Sequence, residues 1–213
     1  MPPKVWLLTG TSSGLGLGRC MTEHVLKRGD IAVATLRRRQ QAYRREAASD
    51  ILDGGYTSPP TLGVFHASKF ALEGLSESLA AEVDPEWDIK VSVSFSPSCR
   101  TPMHFDAQIT VIEVGGFGTD AVGRIVIMPH HPAYMKPSSI VAATRSYIDN
   151  FGEEQMRQLG NPIKAAAIMF RLAAYPDPPL HFPLGKDSVA TTRRKIALLA
   201  EETDKFESWS KGI

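Results

Sequence analysis

One segment, from Lys4 to Arg38, limits the possible folds more than any other in the chain. "KVWLLTG" (Lys4 to Gly10) is a short apolar run ending in glycine, the pattern of a buried parallel strand. "GLGLGRCMTEHVLKRGD" follows, with Leu17, Cys20, Met21 and Val25 on one helical stripe and Gly29 placed to end the helix. "IAVATLRR" (Ile31 to Arg38) is a second apolar, strand-like run. Strand, glycine-rich turn, helix and strand make a βαβ unit, whose crossover is right-handed. An α/β fold with a parallel sheet is therefore expected.

The rest of the chain fits that class unevenly. "RQQAYRREAASDILDGGYTSPPT" (Arg39 to Thr61) is basic, then turn-rich, and contains no convincing strand. From Gly63 a helix is clear: Phe65, Leu72, Leu75, Leu79 and Val83 recur at helical spacing and Pro85 closes it. "ITVIEVGGFGTD" (Ile109 to Asp120) reads as a strand running into a glycine turn. Asn161 and Pro162 mark the N-cap and first position of a helix through Ala174. "LHFPLG" (Leu180 to Gly185) reads as a short last strand, and a charged helix from about Asp187 to Trp209 follows.

Bulk properties exclude several function classes. With 213 residues, 43% hydrophobic and 22% charged, one domain with a real core is expected. A net charge of +1 gives no global support for a nucleic-acid or acidic-membrane partner. Cys20 and Cys99 lack metal-like spacing and suit a reducing compartment. The N-terminal apolar run is too short for a signal peptide, and no stretch approaches the roughly 20 apolar residues of a membrane span. A cytoplasmic protein is the expectation.

"TGTSSGLG" (Thr9 to Gly16) lies between strand and helix, where a dinucleotide pyrophosphate would sit. Gly10 permits the tight turn, Gly14 lets backbone approach phosphate, and Gly16 lets the helix pack on the strand. Free N–H groups and the positive end of the helix attract an anion. The alternative is a tight turn with no ligand; the strand-turn-helix context favours a cofactor. At the end of the second strand, NAD sites of this kind place an acidic residue for the ribose hydroxyl. Here Leu36, Arg37 and Arg38 stand there. Two guanidinium groups suit a 2′-phosphate and thus NADP over NAD; equally, with Arg39, Arg44 and Arg45 they form a solvated basic helix start.

Taken together, "TGTSSGLG", "VATLRR", "GVFHASKFALEGLSESLAAEV", "GGFGTD" and "NPIKAAAIMFRLAAYPDPPLHFPLGKD" resemble the short-chain dehydrogenase/reductase family. The resemblance covers the first 38 residues and most of the chain from Gly54 on. It implies a Rossmann-like, doubly wound sheet and hydride transfer between NADP(H) and a small carbonyl or alcohol. It implies a cofactor site including Gly10, Ser12, Ser13, Gly14, Leu15, Gly16, Arg37, Arg38, Lys69, Phe117 and Thr119, with Thr119 on the nicotinamide amide. In that family a tyrosine is the general acid/base, and a lysine one helical turn later tunes it. A serine positions the substrate oxygen, and an asparagine supports the lysine.

The chain departs from that pattern in several places. Lys69 matches the family lysine, but Phe65 stands at the tyrosine position. The serine position falls at or near Leu52, and the asparagine has no counterpart. Val114 and Gly118 replace the usual proline and arginine of the loop after the sixth strand. The family's third to fifth strands should lie between Arg38 and Gly54, but residues 39–53 are too few for even one βαβ unit, which takes roughly 30 residues. The sheet should therefore be incomplete, with the first strand lacking its inner neighbour. The helix that precedes the Lys69 helix in the family's dimers is missing too, which argues against a homodimer. Residues 91–108 read as an insertion: their removal restores "DIKITVIEVGGF", as a retained intron would. Residues 121–160 would form a lid-like segment, whose Tyr134, Tyr147 and Phe151 suit packing more than recognition.

Other candidates carry less. His66 neighbours Phe65 but points about 100° round the helix from it, so a surface place is expected. His130 and His131 have no partner at ligand spacing, and no metal site is read. Ile168 and Met169 read as core rather than cofactor contacts. The functional expectation is an NADP-dependent short-chain oxidoreductase impaired by the loss of tyrosine and serine. The alternative is a non-catalytic nucleotide-binding protein or a product of a misread gene.

Overall fold

The protein is described here by a computed structural model covering residues 4–8, 16–34, 60–84, 90–94, 108–119, 131–134, 136 and 138–212. Helix α1 (Leu17–Lys27) buries the stripe read from the sequence, Leu17, Cys20, Met21 and Val25. Burial, with Glu23 beside it, pushes the Cys20 thiol above its ordinary pKa. Gly29 follows the C-cap at φ +82°, a left-handed conformation that glycine adopts without a Cβ clash. Strands β1 (Val5–Leu8) and β2 (Ile31–Ala34) flank the helix and pair in parallel, Val5 opposite Ile31. Asp30 ties the unit together, accepting hydrogen bonds from Lys4 N and Trp6 Nε1, both at 3.0 Å.

These two strands are not buried on both faces, as the sequence led one to expect. Trp6, Leu8 and Ala32 pack toward the core, while Val5, Leu7, Ile31 and Val33 are exposed. Alternate strand residues face opposite ways, and among the described residues only one face of this pair is covered.

The rest of the fold comprises α2 (Gly63–Glu82), β3 (Lys90–Ser94), β4 (Gln108–Val114), α3 (Ile140–Asp149), α4 (Glu153–Gln158), α5 (Pro162–Ala173), β5 (His181–Leu184) and α6 (Lys186–Phe206). Strands β3, β4 and β5 form a second sheet in that order, all parallel. Among the described residues β1 pairs only with β2, so the sheet is a parallel α/β sheet in two pieces. The start of the segment 91–108 read as an insertion is a paired strand: Val91 lies opposite Ile109 and Ser94 opposite Ile112. Helix α5 starts as its sequence dictates, with Asn161 Oδ1 accepting from Ile163 N and Lys164 N and Pro162 at the first position.

One apolar cluster joins the pieces, with α1 and α5 packed together over Ile112, Val114, Phe117 and Leu184. Met169 is buried in it and Ile168 packs against it, as expected of core residues. Trp6 stacks on Phe170 with ring centroids 4.9 Å apart, fixing β1 to α5. On the opposite side Val83, Ile109 and Val111 form a second cluster with Leu72, Leu79 and Ala80 of α2. Among the described residues no helix is long and apolar enough to cross a membrane.

Candidate active site

Helix α2 carries Lys69, the residue that the sequence reading expects at the catalytic site, and the helix's orientation decides what that side chain can reach. Its last turns lie at the amino ends of the strands, since Val83 packs with Ile109 and Val111 of β4. Glu77 meets His181, which is the first residue of β5 and lies opposite Val111. The helix therefore runs against the strands, and its first turns approach their carboxyl ends, where ligands bind in open parallel sheets. Lys69 lies two turns before Glu77, about 12 Å at 1.5 Å per residue. From Val111, the same distance along β4 reaches Val114 or Gly115 at about 3.3 Å per residue. Lys69 is thus level with the glycine turn that follows β4, and it is buried.

The inward face of α2 differs from the one its apolar residues suggest. Leu75 and Phe70 are exposed, and the buried stripe is Leu62, His66, Lys69, Glu73, Ser76 and Val83. His66 is fully buried, not on the surface. The displacement of about 100° from residue 65 was sound, but the inward stripe is centred on residues 66, 69 and 73. The backbone of Phe65 lies in the helix, one turn before Lys69.

The turn after β4 is held from three sides. Gly116 N donates to Asp187 Oδ2 at 2.6 Å, and Gly160 N donates to Gly116 O at 2.9 Å. Gly118 N donates to Gly160 O at 2.9 Å, and Thr119 N to Phe117 O at 2.8 Å. A Cβ on Gly160 would stand 2.6 Å from the Phe117 ring, which explains the glycine there. Below the turn, Ser188 Oγ donates to the Glu113 carbonyl at 2.7 Å. Phe117 and Thr119 are both buried.

The start of α1 suits a phosphate. Gly16 offers its first amides no side-chain acceptor, and no acidic residue stands in the first turn. A bound anion would meet the N–H groups of the first turn and, among the described residues of that turn, no opposing carboxylate. Of the residues expected at the cofactor, the structure thus describes Gly16, Lys69, Phe117 and Thr119. Gly10, Ser12, Ser13, Gly14, Leu15, Arg37, Arg38 and Leu52 lie outside the described residues, as does the side chain of Phe65.

The sequence reading missed a second polar cluster. One ligand atom each from Glu73, Glu77 and His181 lies within 4.8 Å of the other two. The two glutamates sit one turn apart on α2, which was a visible signal. The histidine comes from a distant strand, and nothing local announces that meeting.

No family model matches the chain. An uncharacterized oxidoreductase of Schizosaccharomyces pombe is 31% identical over 161 residues, 75% of this chain and 46% of that protein. An oxidoreductase of Botryotinia fuckeliana is 24% identical over 157 residues, 74% of this chain and 48% of that protein. The chain thus spans about half the length of the curated relatives it matches. The crystal structure of a short-chain dehydrogenase from Streptomyces avermitilis superposes with a TM-score of 0.69 at 22% identity, covering 99% of this chain and 98% of that one. At that identity the likeness establishes the fold.

Proposed function

We propose that this chain, which has the fold of a short-chain dehydrogenase and is similar in sequence to curated oxidoreductases, binds NADP and that its own carbonyl reduction is impaired. The observation behind this reading is the position of Lys69, buried and level with the glycine turn that ends in Thr119. Gly10, Ser12, Ser13, Gly14, Leu15 and Gly16 would hold the pyrophosphate at the head of α1, with Arg37 and Arg38 on the 2′-phosphate. Phe117 and Thr119 would flank the nicotinamide.

NADPH, when bound, supplies a hydride to a carbonyl carbon. The carbonyl oxygen then needs a proton from a positioned acid. Phe65 has no proton to give, and Leu52 has no hydroxyl to orient the oxygen. Lys69 is left as a ribose-binding cation without the phenol it would tune. The substrate class stays that of a small carbonyl or alcohol, and the cytoplasm is the compartment its composition suits.

The test titrates the chain with NADPH and NADH by fluorescence and follows NADPH consumption with a panel of ketones and aldehydes. The expected result is saturable binding, tighter for NADPH, without turnover, and no rescue by Phe65→Tyr alone. Turnover that Lys69→Ala abolishes would overturn the impairment; absence of binding to either cofactor would overturn the cofactor assignment.

A further inference from the structure

We propose that Glu73, Glu77 and His181 form a site for one divalent transition-metal cation, zinc by its donor set, that pins helix α2 to strand β5. Two carboxylates and one imidazole are the donors, brought from two elements. Glu73 and Glu77 stand at i and i+4, the spacing by which helical zinc motifs aim two ligands at one ion. His181 Nε2 lies 3.3 Å from Glu77 Oε1. Ligands at about 2.0–2.1 Å from a tetrahedral zinc stand roughly 3.3–3.4 Å apart, so this pair already has the edge length of such a site. Glu73 offers its oxygen within 4.8 Å of both.

Electrostatics point the same way. Glu73 is buried and a second carboxylate lies within 4.8 Å of it, so a dication between them would be attracted by both. Glu77 and His181 are partly exposed, which leaves a path for the ion and a fourth position for water. Imidazole favours zinc over magnesium or calcium, and zinc stands above manganese in general affinity. The bound ion would fix the end of the helix that carries Lys69. The site does not depend on the cofactor assignment.

The test uses the full chain, stripped with a chelator and dialysed. Zinc is titrated against a chromophoric indicator, with cobalt as a spectroscopic substitute. One equivalent should bind saturably, cobalt should give the absorption of a tetrahedral site, and melting temperature should rise with zinc. Glu77→Gln and His181→Asn should each weaken binding by more than the roughly 10–100-fold that losing an outer-shell partner costs. Glu201→Gln, on the exposed face of α6, should change nothing. If Glu73→Gln fails to fold, the half-exposed Glu77 supplies the readout. Binding that is absent, non-stoichiometric, or indifferent to both Glu77→Gln and His181→Asn would overturn the site and leave an ion pair in its place.

Discussion

Replacement of Asp187 tests how the glycine turn is held. Its carboxylate accepts from Gly116 N at 2.6 Å, a short, charge-assisted bond across 71 positions of sequence. The carboxylate also fills the space that a Cβ on Gly185 would need, 2.7 Å from its Oδ1. In Asp187→Ala the buried Gly116 amide loses its acceptor, a loss of about 1–3 kcal/mol. Helix α6 also loses its only first-turn acid, about 0.3–1 kcal/mol. Asp187 itself is exposed, so water screens both contributions and about 2 kcal/mol is expected in total. Asp187→Asn keeps an acceptor without the charge, and a neutral bond is about half as strong, so roughly 1 kcal/mol is expected. Urea unfolding followed by tryptophan fluorescence reads both. With a slope near 2 kcal/mol per molar, alanine should lower the midpoint by about 1 M at unchanged slope. An alanine variant within about 0.5 kcal/mol of the parent, the range of an ordinary surface change, would refute the reasoning. So would an asparagine variant as damaging as alanine, because then the acceptor would not be what matters.

Two further substitutions probe the frame. Gly160→Ala drives a Cβ to 2.6 Å from the Phe117 ring and should cost about 1–3 kcal/mol in the same unfolding assay; a neutral result would mean the ring moves freely. Asp30 accepts from Lys4 N and Trp6 Nε1, which holds its carboxyl below the ordinary 3.8. A depressed carboxylate stabilises above its ordinary pKa and loses that effect as pH falls through the folded value. Stability differences between Asp30→Asn and the parent should therefore be constant above about pH 5, begin to shrink near 3.8, and vanish only once pH has fallen through the lower folded-state value. A difference that persisted unchanged in acid would show that Asp30 acts by packing instead.

What the sequence disclosed and what it hid divide along physical lines. The stripe of α1 and the cap of α5 depend on neighbours three or four residues away, so both were legible from Leu17, Cys20, Met21, Val25, Asn161 and Pro162. The inward face of α2 was not legible, because that helix buries His66, Lys69, Glu73 and Ser76 while exposing Phe70 and Leu75. Apolar periodicity finds a core face only where the core is apolar. The half-exposure of β1 and β2 was hidden for another reason. A run such as "VWLL" records a strand, whereas its burial on two faces depends on which other elements exist. The metal cluster joins α2 to a strand far along the chain, and a pairing of that kind is written only in the tertiary fold.

The strand at Lys90–Ser94 bears on how the incomplete sheet survives. A parallel sheet missing its central strands exposes an edge on each side of the gap, and open edges invite association. Among the described residues β4 has β5 on one side and β3 on the other. Val91–Ser94 of strand β3 belong to the segment 91–108, which the sequence reads as an insertion. These residues occupy the edge of β4 that faces away from β5. The edge of β1 opposite β2 has no such substitute among the described residues, and it borders the place where the cofactor would lie. A cofactor bound at the head of α1, as proposed above, would cover part of that border, and its affinity would then add to the stability of the fold.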